Sequence, residues 1–315
     1  MMTDIAAGPA IDARGLVKSY GAVKALQDVD LEVGRGELFG LIGPDGAGKT
    51  TLIRILMTLL LADAGSARVL GQDVVLNYKT LRKQLGYMPG RFSLYEDLTV
   101  EENLSLFASI FGTSIEANYD LVRDIYSQIE PFKKRRAGKL SGGMKQKLAL
   151  SCAMIHRPEL ILLDEPTTGV DPVSRVDFWN MLKSLKASGV TILVSTTYMD
   201  EANLCDRVAL MQEGRILSID TPSGLVAGYG RALYAVRSGD KHRLIDDIRD
   251  WPGARTAFLF GESVHITIRH EPPTLADLRS FLQSRGHPDP DITAIEPGVE
   301  DCFMELLTVR ETTAP

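Results

Sequence analysis

The segment Gly43-Pro44-Asp45-Gly46-Ala47-Gly48-Lys49-Thr50 is the strongest structural signal in this chain. Its glycines leave backbone N–H groups free to surround a polyphosphate, and its lysine can neutralise the phosphate charge. The apolar run at 38–42 predicts a buried strand before this glycine loop, and residues 51–56 predict a helix directly after it. Because this order points a helix N-terminus at an anion, the segment predicts a polyphosphate-binding loop and not a plain glycine-rich turn.

A pair of acids gives the second signal. The apolar residues 160–163 are followed by Asp164 and Glu165, so both carboxylates come at the carboxyl end of a predicted parallel strand, where open α/β sheets bind ligands. Asp164 is suited to hold Mg²⁺ through water, and Glu165 to act as a general base for an attacking water. Lys49 is expected to reach the β- and γ-phosphates, and Thr50 to ligate Mg²⁺. Alone, the two acids could simply cap the following turn.

The composition excludes several classes of protein. The 315 residues, 44% hydrophobic and 24% charged, are typical of a globular protein with one large domain, or one large and one small. The net charge of −6 gives no basic excess, so nucleic acid is not an expected partner. We expect no signal peptide, and no apolar stretch approaches the roughly 18 residues of a membrane span. Three scattered cysteines favour a reducing compartment without disulfides, and the five histidines show no metal-ligand spacing.

A third segment, Leu140-Ser141-Gly142-Gly143-Met144-Lys145-Gln146, also begins a predicted helix with free N–H groups. A single nucleotide site does not need a second anion-binding loop so far along the chain. Two protomers that face each other head to tail would use it, because Ser141 and Gly143 of each could contact the γ-phosphate bound to the other. The chain is therefore expected to work as one of a pair of nucleotide-binding domains.

In this order, the glycine loop, Leu-Ser-Gly-Gly-Met-Lys-Gln at 140–146 and Leu-Leu-Asp-Glu-Pro at 162–166 resemble the ATP-binding subunit of ABC transporters. The resemblance covers residues 11 to about 225. It implies an α/β fold of the P-loop NTPase class, in its ABC ATPase form, with antiparallel β and helical subdomains. It also implies ATP and Mg²⁺ as ligands.

Several shorter segments are similar to the ABC-2-type branch of multidrug and drug exporters. They are Gly86-Tyr87-Met88-Pro89, Phe92-Ser93-Leu94-Tyr95-Glu96-Asp97-Leu98-Thr99-Val100, Gly169-Val170-Asp171-Pro172, Tyr198-Met199-Asp200-Glu201-Ala202 and, near the end, Glu300-Asp301-Cys302-Phe303-Met304-Glu305-Leu306-Leu307. The glycine loop and residues 138–147 look like the first half of tandem subunits that carry two nucleotide domains. The implied partners are an ABC-2-type membrane subunit and a second nucleotide-binding domain, and we favour a heterodimer over a homodimer.

The resemblance also implies roles for individual residues. Tyr20, which would otherwise be an ordinary loop aromatic, would stack on adenine, and Asp171 would lie at the dimer seam near the partner's site. The signature loop that acts on the partner's nucleotide would contain Ser141, Gly142, Gly143 and Gln146. The nucleotide-binding set would comprise Tyr20, Gly43, Pro44, Asp45, Gly46, Ala47, Gly48, Lys49, Thr50, Thr51 and Asp164.

Two positions depart from the family pattern. Gly90 replaces a glutamine that contacts Mg²⁺ and water and relays to the membrane subunit, and Thr197 replaces a histidine that contacts the γ-phosphate. Threonine can donate one hydrogen bond but carries no charge. One interpretation is that Glu165 suffices and hydrolysis continues slowly. We favour the other, in which this protomer's own site is degenerate and its intact Ser-Gly-Gly loop completes a site on a different protomer.

Periodicity and glycine punctuation divide the chain into two predicted domains. Residues 1–228 are expected to form the ATP-binding domain, with a helical subdomain at about 91–157. After Gly228-Tyr229-Gly230, the order strand, helix, strand, strand, helix, strand predicts a small ferredoxin-like α+β domain over 229–315. The elements predicted in the first domain are antiparallel strands at 11–17 and 26–33, a helix at 50–61, parallel strands at 160–163 and 190–194 joined by a helix at 178–187, and a hairpin at 208–217.

The expected function is an ATPase subunit that drives an exporter from the cytoplasmic face of the cell membrane, where a membrane partner holds it. Hydrolysis at its own site is expected to be slow because of Gly90 and Thr197. Two other functions stay open. One is an ABC protein without membrane partners, although such proteins tend to be tandem or to carry coiled-coil or basic insertions. The other is a nucleotide-responsive regulator that binds ATP but hardly hydrolyses it.

Overall fold

The computed structural model describes residues 8–91, 93–269 and 274–313, with side chains up to residue 308. Phe92 of the exporter-like segment lies outside these residues, as do the first residues, where no signal peptide is expected. Internal contacts divide the chain into two compact units, Met1–Thr221 and Pro222–Pro315. This division falls before the predicted limit at 228, and the domain limits 1–228 and 229–315 stay a prediction.

The first unit contains two β-sheets. Its strands are β1 (Ile11–Tyr20), β2 (Val23–Val33), β3 (Leu38–Ile42), β4 (Ala64–Val69), β5 (Gln72–Asp73), β6 (Leu85–Met88), β7 (Leu160–Asp164), β8 (Thr191–Thr196), β9 (Arg207–Gln212) and β10 (Arg215–Asp220). One sheet has the order β2-β1-β4-β5 and is antiparallel. The other has the order β10-β9-β3-β8-β7-β6, and it is parallel except for the β9–β10 hairpin.

Six α-helices of the first unit surround these sheets. They are α1 (Lys49–Leu56), α2 (Tyr78–Gln84), α3 (Val100–Ile110), α4 (Ile115–Tyr126), α5 (Gly142–Met154) and α6 (Pro172–Ala187). Helices α3, α4 and α5 fall within the region 91–157 that was expected to be helical. Helix α6 begins at Pro172, earlier than the predicted 178, because the Asp171 side chain caps it and proline suits the first helical position.

The two sheets follow from two hydrophobic patterns. Every residue of β3 and β7 is buried, which is typical of parallel strands that are covered on both faces. The end of β2 alternates instead, with Val29, Leu31 and Val33 buried between exposed acids, which is typical of a half-buried antiparallel strand. In the parallel sheet, Asp164 of β7 lies opposite Ser195 of β8. The carboxyl ends of β3, β7 and β8 therefore meet at one edge.

Two local predictions differ from the structure. The predicted helix at 50–61 is wrong beyond Leu56, where α1 ends. Thr58 adopts φ 61°, and the Leu59 N–H donates to the Arg54 carbonyl (2.8 Å), so a turn closes the helix although the apolar run continues. The short edge strand β6 is not among the predicted elements, because three of its four residues, Gly86, Tyr87 and Met88, belong to a segment interpreted only as a family motif.

The second unit is a four-stranded antiparallel sheet with helices. Its elements are α7 (Pro222–Ala227), β11 (Leu233–Arg237), α8 (Lys241–Asp250), β12 (Ala254–Phe260), β13 (Ser263–Ile268), α9 (Leu275–Ser284), β14 (Asp291–Ile295) and α10 (Val299–Thr313). The sheet order is β12-β13-β11-β14, and every pair is antiparallel. The predicted ferredoxin-like order of strands and helices is confirmed. Helix α7 belongs to this unit, where the Cys302 thiol on α10 donates to the Leu225 carbonyl.

A buried histidine, His287, connects several elements of the second unit. The side chain of His287 is 4% exposed, and its Nε2 lies 3.0 Å from Asp247 Oδ2 on α8. Its Nδ1 lies 2.7 Å from the hydroxyl of Ser238, which follows β11. The imidazole therefore connects the loop after α9 to both α8 and the sheet, and it is a structural residue.

The helices and the cysteines bear on two further properties of the chain. Within residues 8–91, 93–269 and 274–313, no helix combines the length and the apolar character needed to cross a bilayer. Cys152, Cys205 and Cys302 are buried free thiols.

Candidate functional site

The glycine loop joins β3 to α1 at the carboxyl edge of the parallel sheet. Gly48 is the residue before α1 and adopts φ 105°, and a Cβ there would lie 2.4 Å from the carbonyl oxygen of Ala25. Only glycine fits this conformation and this close approach. No side chain caps α1, so the N–H groups of its first turn, which includes Thr51, can bind an anion. Asp45 is exposed and Ala47 is buried.

Lys49 is held inside the loop. Its side chain is 3% exposed, and its ammonium donates to the carbonyl oxygens of Gly43 (2.7 Å) and Pro44 (2.9 Å). The same ammonium lies 3.1 Å from Glu165 Oε1. The positive charge of Lys49, the first residue of α1, therefore lies beside the acid pair at the end of β7.

The Asp164 carboxylate joins the three elements at this edge. Its Oδ1 accepts hydrogen bonds from the Thr50 hydroxyl on α1 (3.0 Å) and from the Ser195 hydroxyl on β8 (2.9 Å). Burial raises the pKa of Asp164, and the neighbouring Glu165 carboxylate adds to this effect, whereas the hydrogen bonds from Ser195 and Thr50 lower it. A cation beside the carboxylate would favour its ionised form.

The donor set suits Mg²⁺. This ion prefers hard oxygen ligands and commonly takes one or two protein ligands beside phosphate oxygens and water. The Thr50 hydroxyl and the Asp164 carboxylate lie 3.0 Å apart at the first turn of α1, next to the loop that would hold a polyphosphate. Among the described residues, no cluster of three or more His, Cys, Asp or Glu side chains could hold a metal ion by itself.

Glu165 has an unusual backbone. Its φ of 51° is in the left-handed region, which non-glycine residues seldom adopt and which is often associated with functional sites. Its N–H donates to both the hydroxyl (3.0 Å) and the carbonyl (3.1 Å) of Ser195. Its carboxylate lies between the Lys49 ammonium and the Thr168 hydroxyl, which donates to Oε2 at 3.4 Å.

The two departures from the family pattern both border this edge. A Cβ on Gly90 would lie 3.0 Å from the carbonyl oxygen of Asp164, so the backbone at 90 is packed against β7. Gly90, Gln146 and Glu165 line a cavity of about 20 Å³, which is enough for one water molecule. Thr197 is the residue directly after β8, and the neighbouring Thr196 hydroxyl accepts a hydrogen bond from the Tyr198 N–H.

The signature residues lie at the start of α5. The Ser141 hydroxyl caps this helix by accepting a hydrogen bond from the Met144 N–H (3.4 Å). A Cβ on Gly143 would lie 2.5 Å from the Ser174 hydroxyl of α6, and Asp171 caps α6 by accepting from the Ser174 N–H (3.0 Å). A Cβ on Gly142 would face the Gly169 carbonyl at 3.8 Å. The starts of α5 and α6 therefore form one surface.

Four of the predicted site residues are neighbours in the structure. Lys49, Thr50, Asp164 and Glu165 come together within hydrogen-bonding distance. Tyr20 lies at the end of β1, 48% exposed, with the Lys18 ammonium 5.9 Å from its ring centroid, and its adenine role stays a prediction. Ser195 was not predicted; its hydroxyl donates to the Asp164 carboxylate and accepts from the Glu165 N–H. Its position at the carboxyl end of a predicted parallel strand was the available signal.

The family model for ABC transporters matches residues 26–168. Relatives with known names support this match over much more of the chain. The chain is 40% identical over 304 residues to the probable multidrug ABC transporter ATP-binding protein YbhF of Escherichia coli (strain K12). That match covers 94% of the chain but 52% of YbhF, so the chain spans about half the length of this relative.

Two further relatives match over nearly their whole length. The chain is 35% identical over 306 residues to the Nod factor export ATP-binding protein I of Rhizobium sp. (strain N33), covering 96% of the chain and 98% of that protein. It is 34% identical over 306 residues to the daunorubicin resistance ATP-binding protein DrrA2 of Streptomyces coeruleorubidus, covering 95% of each.

Solved structures agree with the fold. The ATP-binding subunit of an ABC transporter has a TM-score of 0.64 and 31% identity, covering 70% of the chain and 93% of that structure. A dimeric ATP-binding cassette in a post-hydrolysis state, bound to ADP and Pi, has a TM-score of 0.61, covering 67% of the chain and 98% of that structure. At 24% identity, this second likeness supports the fold alone. The predicted ABC form of the P-loop NTPase fold is thus confirmed, and the chain belongs to the ABC transporter family of ATP-binding proteins.

Proposed function

We propose that the chain is the ATP-binding and ATP-hydrolysing subunit that energises an ABC-2-type exporter. One observation carries the proposal. The Thr50 hydroxyl lies 3.0 Å from the Asp164 carboxylate and the Lys49 ammonium lies 3.1 Å from the Glu165 carboxylate, so that the glycine loop and the acid pair share one site. These are the groups that a magnesium-bound triphosphate requires.

Each of these side chains has a proposed task. Lys49 exchanges its contacts to the loop carbonyls for the β- and γ-phosphates, and this releases Glu165 to accept a proton from an attacking water. Thr50 and Asp164 hold Mg²⁺, which supplies charge neutralisation on the phosphates when it is bound. Catalysis would therefore consist mainly of positioning and charge stabilisation, as is typical of phosphoryl transfer.

A second nucleotide-binding domain is proposed to complete the working unit. Ser141, Gly142, Gly143 and Gln146 would act on the partner's nucleotide, and Asp171 would lie at the dimer seam. This proposal is supported by the single surface that the starts of α5 and α6 form. A heterodimer is favoured, because a partner with the glutamine and histidine that this chain lacks would supply the faster site.

The degenerate state of this chain's own site is part of the proposal. Gly90 leaves room for only one water beside Glu165, and its backbone is packed against the Asp164 carbonyl (Cβ distance 3.0 Å). Thr197 offers a hydroxyl in place of an imidazole. ATP binding is therefore expected to persist while hydrolysis is slow.

The exporter function and the location are inferred from the family. The relatives are named for multidrug transport, Nod factor export and daunorubicin resistance, which fits an ABC-2-type membrane subunit as partner and a peripheral position on the inner face of the cell membrane. The three names refer to different compounds. We infer that the membrane subunit, and not this chain, recognises the transported compound.

The test begins with calorimetry of Mg²⁺–ATP binding and a measurement of turnover on the purified chain. Turnover is then measured for Thr197→His and Gly90→Gln, with Gly90→Ala as the matched control that adds the crowding Cβ without the amide. The proposal expects binding in all four proteins and faster hydrolysis after Thr197→His. If calorimetry detects no binding heat, the ATP-binding function is contradicted. If Thr197→His and Gly90→Gln both hydrolyse ATP at the wild-type rate, the degenerate site is contradicted.

Glu165→Gln should trap ATP and promote association of the nucleotide-binding domains. The substitution removes the proposed general base and keeps the shape of the side chain, so bound ATP would persist. Size-exclusion chromatography with light scattering should show more dimer with Mg²⁺–ATP than without it. Glu262→Gln is the matched control, since Glu262 also pairs with a lysine (Lys241, 2.7 Å) but lies in the second unit. Equal monomer content with and without ATP would count against this prediction.

The other two functions are separated by different measurements. Co-purification of the chain with an integral membrane protein supports the exporter subunit over an ABC protein without membrane partners. A nucleotide-responsive regulator would bind ATP and show no turnover even when the second nucleotide-binding domain is supplied.

A further inference from the structure

A second polar cluster lies beside the proposed hydrolysis site. Its centre is Arg175, in the first turn of α6, whose side chain is 20% exposed. The Nε of Arg175 lies 3.1 Å from Glu201 Oε1, and its Nη2 lies 3.3 Å from Asp200 Oδ2. The guanidinium also covers the ring of Tyr198, with 4.0 Å between its Cζ and the ring centroid. We call Arg175, Tyr198, Asp200, Glu201 and Thr167 the Arg175 cluster.

Glu201 connects this cluster to the segment that carries Glu165. The Glu201 side chain is 2% exposed, and its second oxygen, Oε2, accepts a hydrogen bond from the Thr167 hydroxyl at 3.1 Å. Thr167 is itself buried and follows Glu165 by two residues. Buried carboxylates are normally paired and hydrogen-bonded, and the Glu201 carboxylate joins Arg175 to Thr167 in this way.

The same cluster holds the segment that carries Thr197. Tyr198 follows Thr197 directly, and its ring is covered by the guanidinium of Arg175. The backbone N–H of Arg175 donates to the Asp171 carbonyl at 3.0 Å, which places Arg175 in the first turn of α6. The guanidinium therefore contacts segment 197–201 directly, and it is connected to segment 165–168 through Glu201. Arginine suits this place because its planar group can stack on a ring while its separate N–H groups bind two carboxylates.

We propose that Arg175 is a positioning residue that fixes the Thr197 segment to the Glu165 segment, so that nucleotide bound at the glycine loop stabilises both together. Arg175 does not contact the nucleotide in this proposal, and it acts through Glu201 and Tyr198. The role rests on the proposed ATP site. It also explains how residues 197–201 can keep a defined position where Thr197 lacks the reach and charge of histidine.

Hydrogen exchange of the full chain, with and without Mg²⁺ and the non-hydrolysable analogue AMP-PNP, tests this role without requiring turnover. In the wild type, we expect the analogue to slow amide exchange in 196–204 about tenfold. Arg175→Lys keeps the charge but cannot stack and bind both carboxylates at once. It should bind the analogue within about twofold of wild type and lose most of that slowing. Tyr198→Leu should behave like Arg175→Lys, whereas Tyr198→Phe keeps the ring and should behave like wild type.

The quantity to compare is the ratio of exchange rates without and with the analogue. A merely structural role would speed exchange in both states and leave the ratio unchanged, and that result overturns the proposal. Arg285→Lys is the matched control, because Arg285 also covers a ring (Phe281, 5.1 Å) and pairs with a carboxylate (Asp247, 3.5 Å) in the second unit. A wild-type chain that does not bind AMP-PNP contradicts the proposed ATP site itself, and this role falls with it.

Discussion

The Asp164 carboxylate is expected to lower the stability of the nucleotide-free chain, although it is the proposed magnesium ligand. The buried carboxylate accepts hydrogen bonds from Thr50 and Ser195, yet burial raises its pKa. The folded chain therefore binds a proton at Asp164 more readily than the unfolded chain does. Stability from this group is present at acid pH and is lost as the pH rises above the ordinary value of 3.8 towards the raised one.

Asp164→Asn should therefore raise the unfolding free energy of the nucleotide-free chain at pH 7. Asparagine keeps an oxygen acceptor for Thr50 and Ser195 and removes the buried charge. The advantage over wild type should shrink towards pH 4, where the wild-type carboxyl takes up its proton. The same variant should bind Mg²⁺–ATP at least about tenfold more weakly, because a proposed metal ligand is lost.

Urea titrations at several pH values measure the difference in unfolding free energy. Asp289→Asn serves as the control, since the Asp289 side chain is 99% exposed and its loss should change stability little. A pH-independent difference between Asp164→Asn and wild type would show that the charge of Asp164 is not what destabilises the chain.

Single residues also show how far the sequence could be interpreted. Lys49, Thr50, Asp164 and Glu165 could be named because their motifs are local and their chemistry is specific. Ser195 had only its position at a strand end as a signal, and Arg175 had none, because an arginine in a helix has no distinguishing neighbours in sequence. Their roles depend on which strands lie side by side, and a single sequence does not state that.

On the scale of the elements, the start of α5 is packed closely against α6. Gly143 has no side chain, and a Cβ at this position would lie 2.5 Å from the Ser174 hydroxyl and 2.8 Å from the Ser174 Cβ. Gly143→Ala should therefore lower the unfolding free energy by about 1–3 kcal/mol, as overpacking does, although alanine favours the helix. In a Ser174→Gly background, the same substitution should cost less than about 1 kcal/mol, because the obstructing atoms are gone.

Chemical denaturation of the four proteins in this cycle measures the coupling between the two positions. Equal costs of Gly143→Ala in both backgrounds would mean that Ser174 moves aside freely. ATP hydrolysis by the partner domain can be measured with the same variants. If the Ser174→Gly background restores the stability of Gly143→Ala but not the partner's hydrolysis, the packing of Gly143 is distinct from its proposed contact with the partner's nucleotide.

The elements themselves were predictable to different degrees. The buried strands β7 and β8 and the order of the second unit follow from strong hydrophobic patterns with clear turn residues. The end of α1 does not, because residues 57–61 continue the apolar run while the backbone turns at Thr58. The strand β6 has four residues, and only its place beside β7 makes it part of the sheet.

On the scale of the whole molecule, each of the two units contains a hydrophobic cluster of its own. All proposed nucleotide-binding residues lie in the first unit, whereas the His287 contacts lie in the second. Calorimetry of the intact chain should therefore show two unfolding transitions. Mg²⁺–ATP at a hundred times its dissociation constant should stabilise only one of them, by about 2.7 kcal/mol.

His287→Ala identifies the other transition. Loss of the imidazole leaves buried partners without hydrogen bonds, so the second unit should lose about 1–3 kcal/mol, while the transition that responds to nucleotide stays in place. One cooperative transition that nucleotide and His287→Ala both shift would show that the units unfold together.

The packing of Gly90 against the Asp164 carbonyl also affects how this protein could evolve. Glutamine at position 90 would place a Cβ 3.0 Å from that oxygen, so the backbone of Asp164, the proposed magnesium ligand, would have to give way by a few tenths of an ångström. If this site is the slow one that we propose, glutamine would bring a local packing cost together with any gain in turnover. A faster companion domain would then relieve the selection for that change.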